Sequence, residues 1–155
     1  MSAECLRGDL FLIQDVQAFF QGCNATGAMG KGIALEFKKR WPEMYQEYKI
    51  RCKQGKLKLG DVFHWTNREF HIFNLITQPR PGPYAELDAI EKALDKAIQL
   101  CILHRINSVA IPKIGAGLGG LPWEAVKQII ESRFSKLPIK GLIVEDYVQG
   151  LVPRL

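Results

Sequence analysis

Short apolar runs alternate along this chain with stretches in which apolar residues recur at helical spacing. The apolar runs predict strands at residues 5–12, 17–23, 61–66, 69–76, 108–112 and 141–145. The two central runs predict a hairpin, because only the polar dipeptide Asn67-Arg68 separates them.

The clearest helical stretch covers residues 84–104, where apolar residues recur every three or four positions. Further helices are predicted at 31–40, from Pro42 towards Cys52, and at 122–134. A proline opens two of these stretches, as is favoured in the first helical turn. Strands that alternate with helices indicate a three-layer α/β domain, and we expect one domain over residues 1–155.

Two glycine-rich turns each lead into a predicted helix. They read NATGAMGKGIA at 24–34 and PKIGAGLGGLPW at 112–123. Glycine has no Cβ, so backbone N–H groups converge on an anion in such loops, and a helix N-terminus adds partial positive charge. Both loops follow predicted strands, where α/β sheets bind ligands. Two of them on a chain of 155 residues predict a clamp on either side of a diphosphate.

Known nucleotide motifs do not fit these loops. Neither matches G-x-G-x-x-G in the first-strand context of a dinucleotide fold. The chain also contains no G-x-x-x-x-G-K-[ST], which excludes a Walker A phosphate loop.

The composition limits which classes of partner and bound group we expect for this chain. A net charge of +5 favours an anionic partner and leaves nucleotides, polyanions and nucleic acid open, while the run at 38–40 is interpreted as a solvated helix face. The four cysteines lack CxxC spacing and the histidines are not clustered in sequence, so we expect no metal and no cofactor. His64 and His71 are interpreted as ordinary surface or half-buried residues. Without a secretory leader or a membrane-length apolar run, we expect a cytoplasmic monomer with free thiols and no membrane partner.

Four motifs, in order, resemble the macrodomain family. They are GDL at 8–10, CN followed by MGKGIA within 23–34, NLIT at 74–77, and the second glycine loop with Trp123. The similarity covers nearly the whole chain and is closest to the branch of the terminal ADP-ribose glycohydrolase and the bacterial DNA ADP-ribosyl glycohydrolase antitoxins. The resemblance implies a three-layer α/β/α macrodomain with a mixed central sheet and an ADP-ribose site.

The resemblance also implies roles for individual residues. Asp9 accepts a hydrogen bond from the adenine amino group, and the Leu10 amide meets a ring nitrogen. Asn24 contacts the hydroxyls of the distal ribose and is the candidate catalytic residue. Thr77 lies at the distal-ribose end, and Tyr147 packs against adenine. The walls of the diphosphate site are Met29, Gly30, Lys31, Gly32 and Ile33 on one side and Ile114, Gly115, Ala116, Gly117 and Leu118 on the other.

Structural alternatives stay open for several of these residues. Asp9 is also suited to capping the turn after Gly8, and Asn24 to bridging backbone groups of its own loop. Trp123 and Met29 are interpreted mainly as packing residues.

Two positions depart from the related branch. Gln78 stands where that branch has a lysine after the Leu-Ile-Thr strand, and glutamine neither forms a Schiff base nor acts as a general base. Gly119 replaces an aspartate of the human member. We therefore expect a lysine-independent, substrate-assisted water attack through an oxocarbenium-like state. The substrate is an ADP-ribosyl linkage on protein or DNA, or ADP-ribose 1″-phosphate; the alternative is a non-catalytic reader of ADP-ribosylated targets.

Overall fold

A computed structural model describes residues 3–153 and contains a six-stranded sheet. The strands are β1 (Ala3–Gly8), β2 (Ala18–Asn24), β3 (Val62–Thr66), β4 (His71–Gln78), β5 (Ser108–Ile111) and β6 (Lys140–Tyr147). Their order across the sheet is β1-β6-β5-β2-β4-β3. Every neighbouring pair is parallel except β3–β4, which forms the predicted antiparallel hairpin. The sheet is therefore mixed, as expected.

Two helices cover each face of this sheet. The helices are α1 (Gly32–Arg40), α2 (Pro42–Lys53), α3 (Leu87–Leu103) and α4 (Trp123–Phe134). Adjacent β2 residues point to opposite faces, so Phe19 packs with the α1–α2 side and Phe20 with the α3–α4 side. This arrangement confirms the three-layer α/β/α fold. Within residues 3–153, no helix combines the length and apolar character needed to cross a membrane.

Several predicted element boundaries differ from those observed, and two of these differences have a clear cause. The first strand stops at Gly8, and a short 3-10 helix covers Leu10–Leu12, because the Asp9 carboxylate accepts the Phe11 N–H at 2.9 Å. The long helix begins at Leu87 instead of residue 84. Residues 85 and 86 stay extended because their N–H groups donate to Gly119 and Thr77 carbonyls at 3.1 and 3.0 Å.

The five parallel strands bring their carboxyl ends to one edge of the sheet. Both glycine-rich loops leave from this edge, the first after β2 and the second after β5. The turn after β1, the end of β6 and the loop after β4 lie at the same edge. The topology therefore gathers all the predicted ligand-binding segments in one place.

Candidate ligand-binding cleft

A cleft with two compartments crosses the carboxyl edge of the sheet. The compartments have volumes of about 410 and 480 Å³, within the usual range of small-molecule sites. The first is lined by Leu10, Gly22, Lys31, Gly32, Ile33, Ala34, Thr77, Gln78, Pro112, Lys113, Ile114, Gly115, Gly117, Leu118, Gly119, Val144, Glu145, Asp146 and Tyr147. The second is lined by Gly22, Cys23, Asn24, Ala28, Met29, Gly30, Lys31, Ala34, Gln78, Pro81, Gly82, Pro83 and Leu118.

The two compartments adjoin each other. They share the lining residues Gly22, Lys31, Ala34, Gln78 and Leu118. The cleft therefore runs from the ends of β1 and β6, past both glycine-rich loops, to the loop after β4. An elongated ligand fits such a shape better than a compact one.

The first glycine-rich loop is held by Asn24. Its side-chain oxygen accepts the N–H groups of Thr26, Gly27 and Ala28 at 3.0–3.3 Å, and its Nδ2 donates to the Ala28 carbonyl at 2.9 Å. The buried hydroxyl of Tyr48 also contacts this oxygen. Asn24 thus bridges its own loop, as the structural alternative proposed, and it also lines the second compartment. Its Nδ2 group retains one N–H for a ligand.

Helix α2 supports the same loop from below. The Tyr45 hydroxyl donates to the Gly27 carbonyl at 3.1 Å, and the Tyr48 hydroxyl donates to Asn24. Burial is the main cause that raises the pKa of Tyr48 above its ordinary value. Met29 is only 2% exposed, which confirms its packing role. Tyr45 and Tyr48 lie at ordinary positions of a helix, so the sequence does not indicate this support.

The N-terminus of α1 opens into the cleft. Gly32, Ile33 and Ala34 begin this helix and line the first compartment, and no acidic residue lies in the first turn. The first N–H groups of a helix lack intrahelical acceptors and carry partial positive charge. This end of α1 is therefore suited to bind an anion.

The second glycine-rich loop faces the first. A Cβ on Gly32 would lie 3.5 Å from Cδ1 of Leu118, a side chain that is 62% exposed. Gly115 has a φ of +71°, and a Cβ there would lie 2.6 Å from Ile90, so this position favours glycine. A Cβ on Gly117 would meet nothing within 4 Å. Gly117 therefore presents open backbone to the cleft.

Charges in the cleft leave a positive balance. Glu145 contacts the Lys127 ammonium at 2.7 Å, which is the main cause that holds the pKa of Glu145 below its usual value. Asp146 pairs with Arg7 at 2.8 Å. Among residues 3–153, Lys31 and Lys113 have no carboxylate partner within 4.0 Å. The unpaired charges that line the cleft are thus cationic, as a diphosphate requires.

The end of the cleft beside β1 holds Leu10 and Tyr147. Tyr147 is 37% exposed, and burial together with the nearby Asp9 carboxylate raises the pKa of its hydroxyl. Asp9 is only 3% exposed and lies outside the lining. Its carboxylate accepts the N–H groups of Phe11 and Gly150, each at 2.9 Å. Asp9 therefore caps the turn, as the structural alternative proposed, and also holds the segment that follows β6.

Gln78 and Gly119, the two departures from the related branch, each have defined neighbours in the structure. Gln78 lies where the two compartments join, and its Nε2 donates to the carbonyls of Arg80 and Gly82 at 2.7 and 2.8 Å. A Cβ on Gly119 would lie 2.7 Å from the Gly115 carbonyl oxygen and 2.9 Å from Cβ of Ala85. The backbone at Gly119 therefore leaves no room for an aspartate unless the loop shifts.

The predicted residues mostly meet in this cleft. Asp9 and Ala116 are the two that do not line it, and Thr77 lines the first compartment, where its Oγ1 donates to the Cys23 carbonyl at 3.4 Å. Two further lining segments, at 81–83 and 144–146, were not among the predicted residues. Each lies at or just beyond the carboxyl end of a parallel strand, which is the signal that was available.

Three histidines, from the β3–β4 hairpin and from the end of α3, meet away from the cleft. His64 Nε2 lies 2.8 Å from His71 Nδ1, and the His104 ring centroid is 4.7 Å from that of His64. His64 also stacks on Phe73 at 4.4 Å. Burial is the main cause that lowers the pKa of His64 to about 4, and His104 and His71 add to it. His64 and His71 are half-buried, as expected, but the sequence analysis missed the cluster.

Comparison with known families gives a direct match. The family described as Macro domain matches residues 21–130, which include both glycine-rich loops. The chain belongs to the macrodomain family. Its Trp123 is partly buried against the α3–α4 core and donates to Glu145 at 3.0 Å, so its packing role in this macrodomain is confirmed.

Related macrodomains include DNA ADP-ribosyl glycohydrolases. That of Mycobacterium tuberculosis is 39% identical over 135 residues, which are 84% of this chain and 38% of the relative. The solved macrodomain of Thermus aquaticus DarG has a TM-score of 0.83 at 32% identity and covers 92% of this chain, which covers 97% of it. Thermosipho africanus DarTG, solved in complex with ADP-ribose, has a TM-score of 0.83 at 25% identity, and the match covers 96% of this chain and 42% of that one. This macrodomain spans about two-fifths of the curated relatives that it matches first.

Proposed function

We propose that this macrodomain binds ADP-ribose in the cleft and hydrolyses an ADP-ribosyl bond on a nucleic acid, releasing ADP-ribose. The observation that carries the proposal is the pair of adjoining compartments beside two facing glycine-rich loops. The nucleic-acid acceptor is supported by the relatives described as DNA ADP-ribosyl glycohydrolases. Protein-linked ADP-ribose and ADP-ribose 1″-phosphate are the other substrates that the experiment below compares.

The ligand is oriented by the two ends of the cleft. Adenine lies beside Leu10 and Tyr147, where the Leu10 amide meets a ring nitrogen. The diphosphate lies between the start of α1 and the backbone around Gly117, beside the unpaired Lys31. The distal ribose then enters the second compartment with Asn24. Asp9 contacts the adenine amino group only through the carboxylate lone pairs that Phe11 and Gly150 leave free.

The reaction needs no protein nucleophile in this proposal. A water oxygen forms a bond to the anomeric carbon of the distal ribose as the bond to the acceptor breaks, and the water proton leaves to the acceptor. A diphosphate oxygen orients the water, while the remaining Nδ2 N–H of Asn24 holds a ribose hydroxyl. Positioning of this kind lowers a barrier by several kcal/mol. Gln78 takes no part as a base, because an amide has no basic nitrogen and both its N–H groups face backbone carbonyls.

A non-catalytic reader of ADP-ribosylated targets is the second candidate. Two observations favour it: Gln78 occupies the lysine position of the related branch, and the surroundings of Gly119 leave no room for an aspartate. Both candidates require the same cleft. They differ only in turnover.

The deciding experiment measures release of free ADP-ribose from ADP-ribosylated DNA, glutamate-modified protein and ADP-ribose 1″-phosphate, each incubated separately with the protein. We expect turnover of the DNA substrate, no adduct trapped by borohydride, and retained turnover in Gln78→Ala. Gln78→Lys, which restores the lysine of the related branch, is expected to raise the rate. An adduct trapped on the unmodified protein would overturn the lysine-independent mechanism and direct attention to Lys31 or Lys113. Absence of turnover on all three substrates, with ADP-ribose still bound in calorimetry, would establish the reader.

A further inference from the structure

An arginine and a tyrosine stack on each other at the rim of the second compartment. The Arg80 guanidinium carbon lies 4.0 Å from the centroid of the Tyr84 ring. Both residues are exposed, and Tyr84 retains 41% of its accessible surface. They directly flank residues 81–83, which line the second compartment. The stacked pair therefore borders the part of the cleft assigned to the distal ribose.

The guanidinium of Arg80 forms no ion pair within the described part of the chain. Arg7, Arg51 and Arg133 all pair with carboxylates, whereas Arg80 has no carboxylate within 4.0 Å and donates no side-chain hydrogen bond among residues 3–153. A guanidinium carries five N–H donors in a planar fork that matches phosphate. The Tyr84 ring adds a flat aromatic surface beside it. This combination suits a nucleotide.

The loop that carries the pair is fixed from inside the cleft. Two carbonyl oxygens, of Arg80 and Gly82, lie within 2.8 Å of the same end of the Gln78 side chain, so that end is the amide nitrogen. The Tyr84 N–H also donates to the Gly82 carbonyl at 2.9 Å. The loop packs closely on the ring, since a Cβ on Gly82 would lie 2.8 Å from Cε2 of Tyr84. The pair is thus held in place before a ligand arrives, which reduces the entropy cost of binding.

We propose that Arg80 and Tyr84 form a docking platform for the polynucleotide chain beside the ADP-ribosylated nucleotide. Tyr84 stacks a neighbouring base and Arg80 binds a backbone phosphate, while Gln78 is a positioning residue that holds their loop. This inference rests on the proposed function, because the acceptor leaves the second compartment only if the distal ribose lies there. Bases stack on aromatic rings and on guanidinium planes in single-stranded recognition.

The test compares an oligonucleotide that carries one ADP-ribosyl group with the same modified nucleotide alone. Affinities are measured by fluorescence anisotropy for the oligonucleotide and by calorimetry for free ADP-ribose. We expect Tyr84→Ala and Arg80→Gln each to weaken oligonucleotide binding by about tenfold, and to leave the short ligand and ADP-ribose unchanged. Arg80→Gln should also reduce the salt slope by about 0.7, the value for one phosphate contact on a single strand.

Two variants serve as controls. Tyr84→Phe keeps the ring and should bind the oligonucleotide as the unmodified protein does. Arg68→Gln removes an exposed arginine from the hairpin turn at the opposite edge of the sheet and should change nothing. If Tyr84→Ala and Arg80→Gln bind the oligonucleotide normally, or lose free ADP-ribose as well, the platform is wrong. An equal loss for an ADP-ribosylated peptide would assign the surface to a protein acceptor instead.

Failure of the proposed function gives a different result. In that case the unmodified protein releases no ADP-ribose from the oligonucleotide, whereas the binding measurements still report on Arg80 and Tyr84. If the unmodified protein shows normal turnover and all variants bind the oligonucleotide equally, the docking platform is wrong and the proposed function still stands.

Discussion

The side-chain oxygen of Asn24 lies 3.1 Å from the buried hydroxyl of Tyr48, which joins the first glycine-rich loop to helix α2. The residue expected to contact the ribose therefore also organises the loop that surrounds it. A variant of Asn24 would therefore lose both the expected ribose contact and the support of the loop. Variants of the tyrosines that support the loop change only the second of these roles.

Tyr48→Phe should lower the free energy of unfolding by about 1 kcal/mol, because it removes the buried hydroxyl that contacts both the backbone carbonyl and the side-chain oxygen of Asn24. ADP-ribose affinity should fall several-fold as the loop loses its anchor. Denaturant unfolding and calorimetry measure the two effects. Tyr45→Phe, which removes the bond to the Gly27 carbonyl, is the matched variant. Unchanged affinity in both would mean that the loop keeps its shape without α2.

Gly117→Val should yield a folded protein that binds ADP-ribose at least tenfold more weakly, because a Cβ there meets no protein atom within 4 Å and points into open space. The unmodified protein should bind ADP-ribose with micromolar affinity, about −8 kcal/mol, and AMP far more weakly. Calorimetry with both ligands tests the clamp, and thermal unfolding confirms the fold. Gly115→Ala, in contrast, should reduce stability, since φ is +71° and Ile90 is too close. Equal affinities for AMP and ADP-ribose would argue against a two-loop clamp.

Asp9→Ala should lower the free energy of unfolding by roughly 1–3 kcal/mol, because the N–H groups of Phe11 and Gly150 both lose their acceptor. Asp95→Ala, which breaks an exposed ion pair with Arg133, is the control and should cost less than about 1 kcal/mol.

An ADP-ribose analogue with hypoxanthine in place of adenine isolates the ligand contact of Asp9. The analogue lacks the amino group, so it should bind the unmodified protein more weakly than ADP-ribose does. The Asp9→Ala variant should bind the analogue and ADP-ribose with equal affinity. Equal binding of both ligands to the unmodified protein would remove the adenine role.

Acidification should destabilise the fold through the histidine cluster. The pKa of His64 falls from 6.5 to about 4 on folding, so the unfolded chain binds more protons between those values. The contribution of His64 to stability is therefore complete above pH 6.5 and declines as the pH falls towards 4. Thermal unfolding across this range should show a flatter profile for His64→Phe than for the unmodified protein. Parallel profiles would mean that other groups cause the acid sensitivity.

The sequence predicted the order of the elements well because it depends on local periodicity. The prediction was wrong where hydrogen bonds to residues distant in sequence determine the backbone conformation. The N–H groups of residues 85 and 86 donate to the carbonyls of Gly119 and Thr77, respectively, so the apolar pattern alone places the start of α3 too early. The histidine cluster joins β3, β4 and the end of α3, and no spacing within any one of them indicates it.

The sequence predicted the loops that line the candidate site, but not the residues that hold these loops in place. Glycine-rich loops can be recognised in the sequence itself, and for this reason most of the predicted ligand-binding residues line the cleft. The hydroxyls of Tyr45 and Tyr48 occupy ordinary helix positions, and their bonds to the loop depend on how α2 packs. The amide of Gln78 likewise acquires its role only from the path of the loop after β4.

The place of β1 in the sheet has a consequence for how the molecule folds. Its one strand neighbour is β6, and the register pairs Ala3 with Gly141, at nearly opposite ends of the sequence. Contacts of such high contact order form slowly, because a long loop must close before they stabilise anything. During synthesis β1 emerges early and stays without its partner until β6 has been made. The end of the cleft around Leu10 and Tyr147 is therefore completed last, so a nascent chain that ends before β6 has both glycine-rich loops but lacks this end of the cleft.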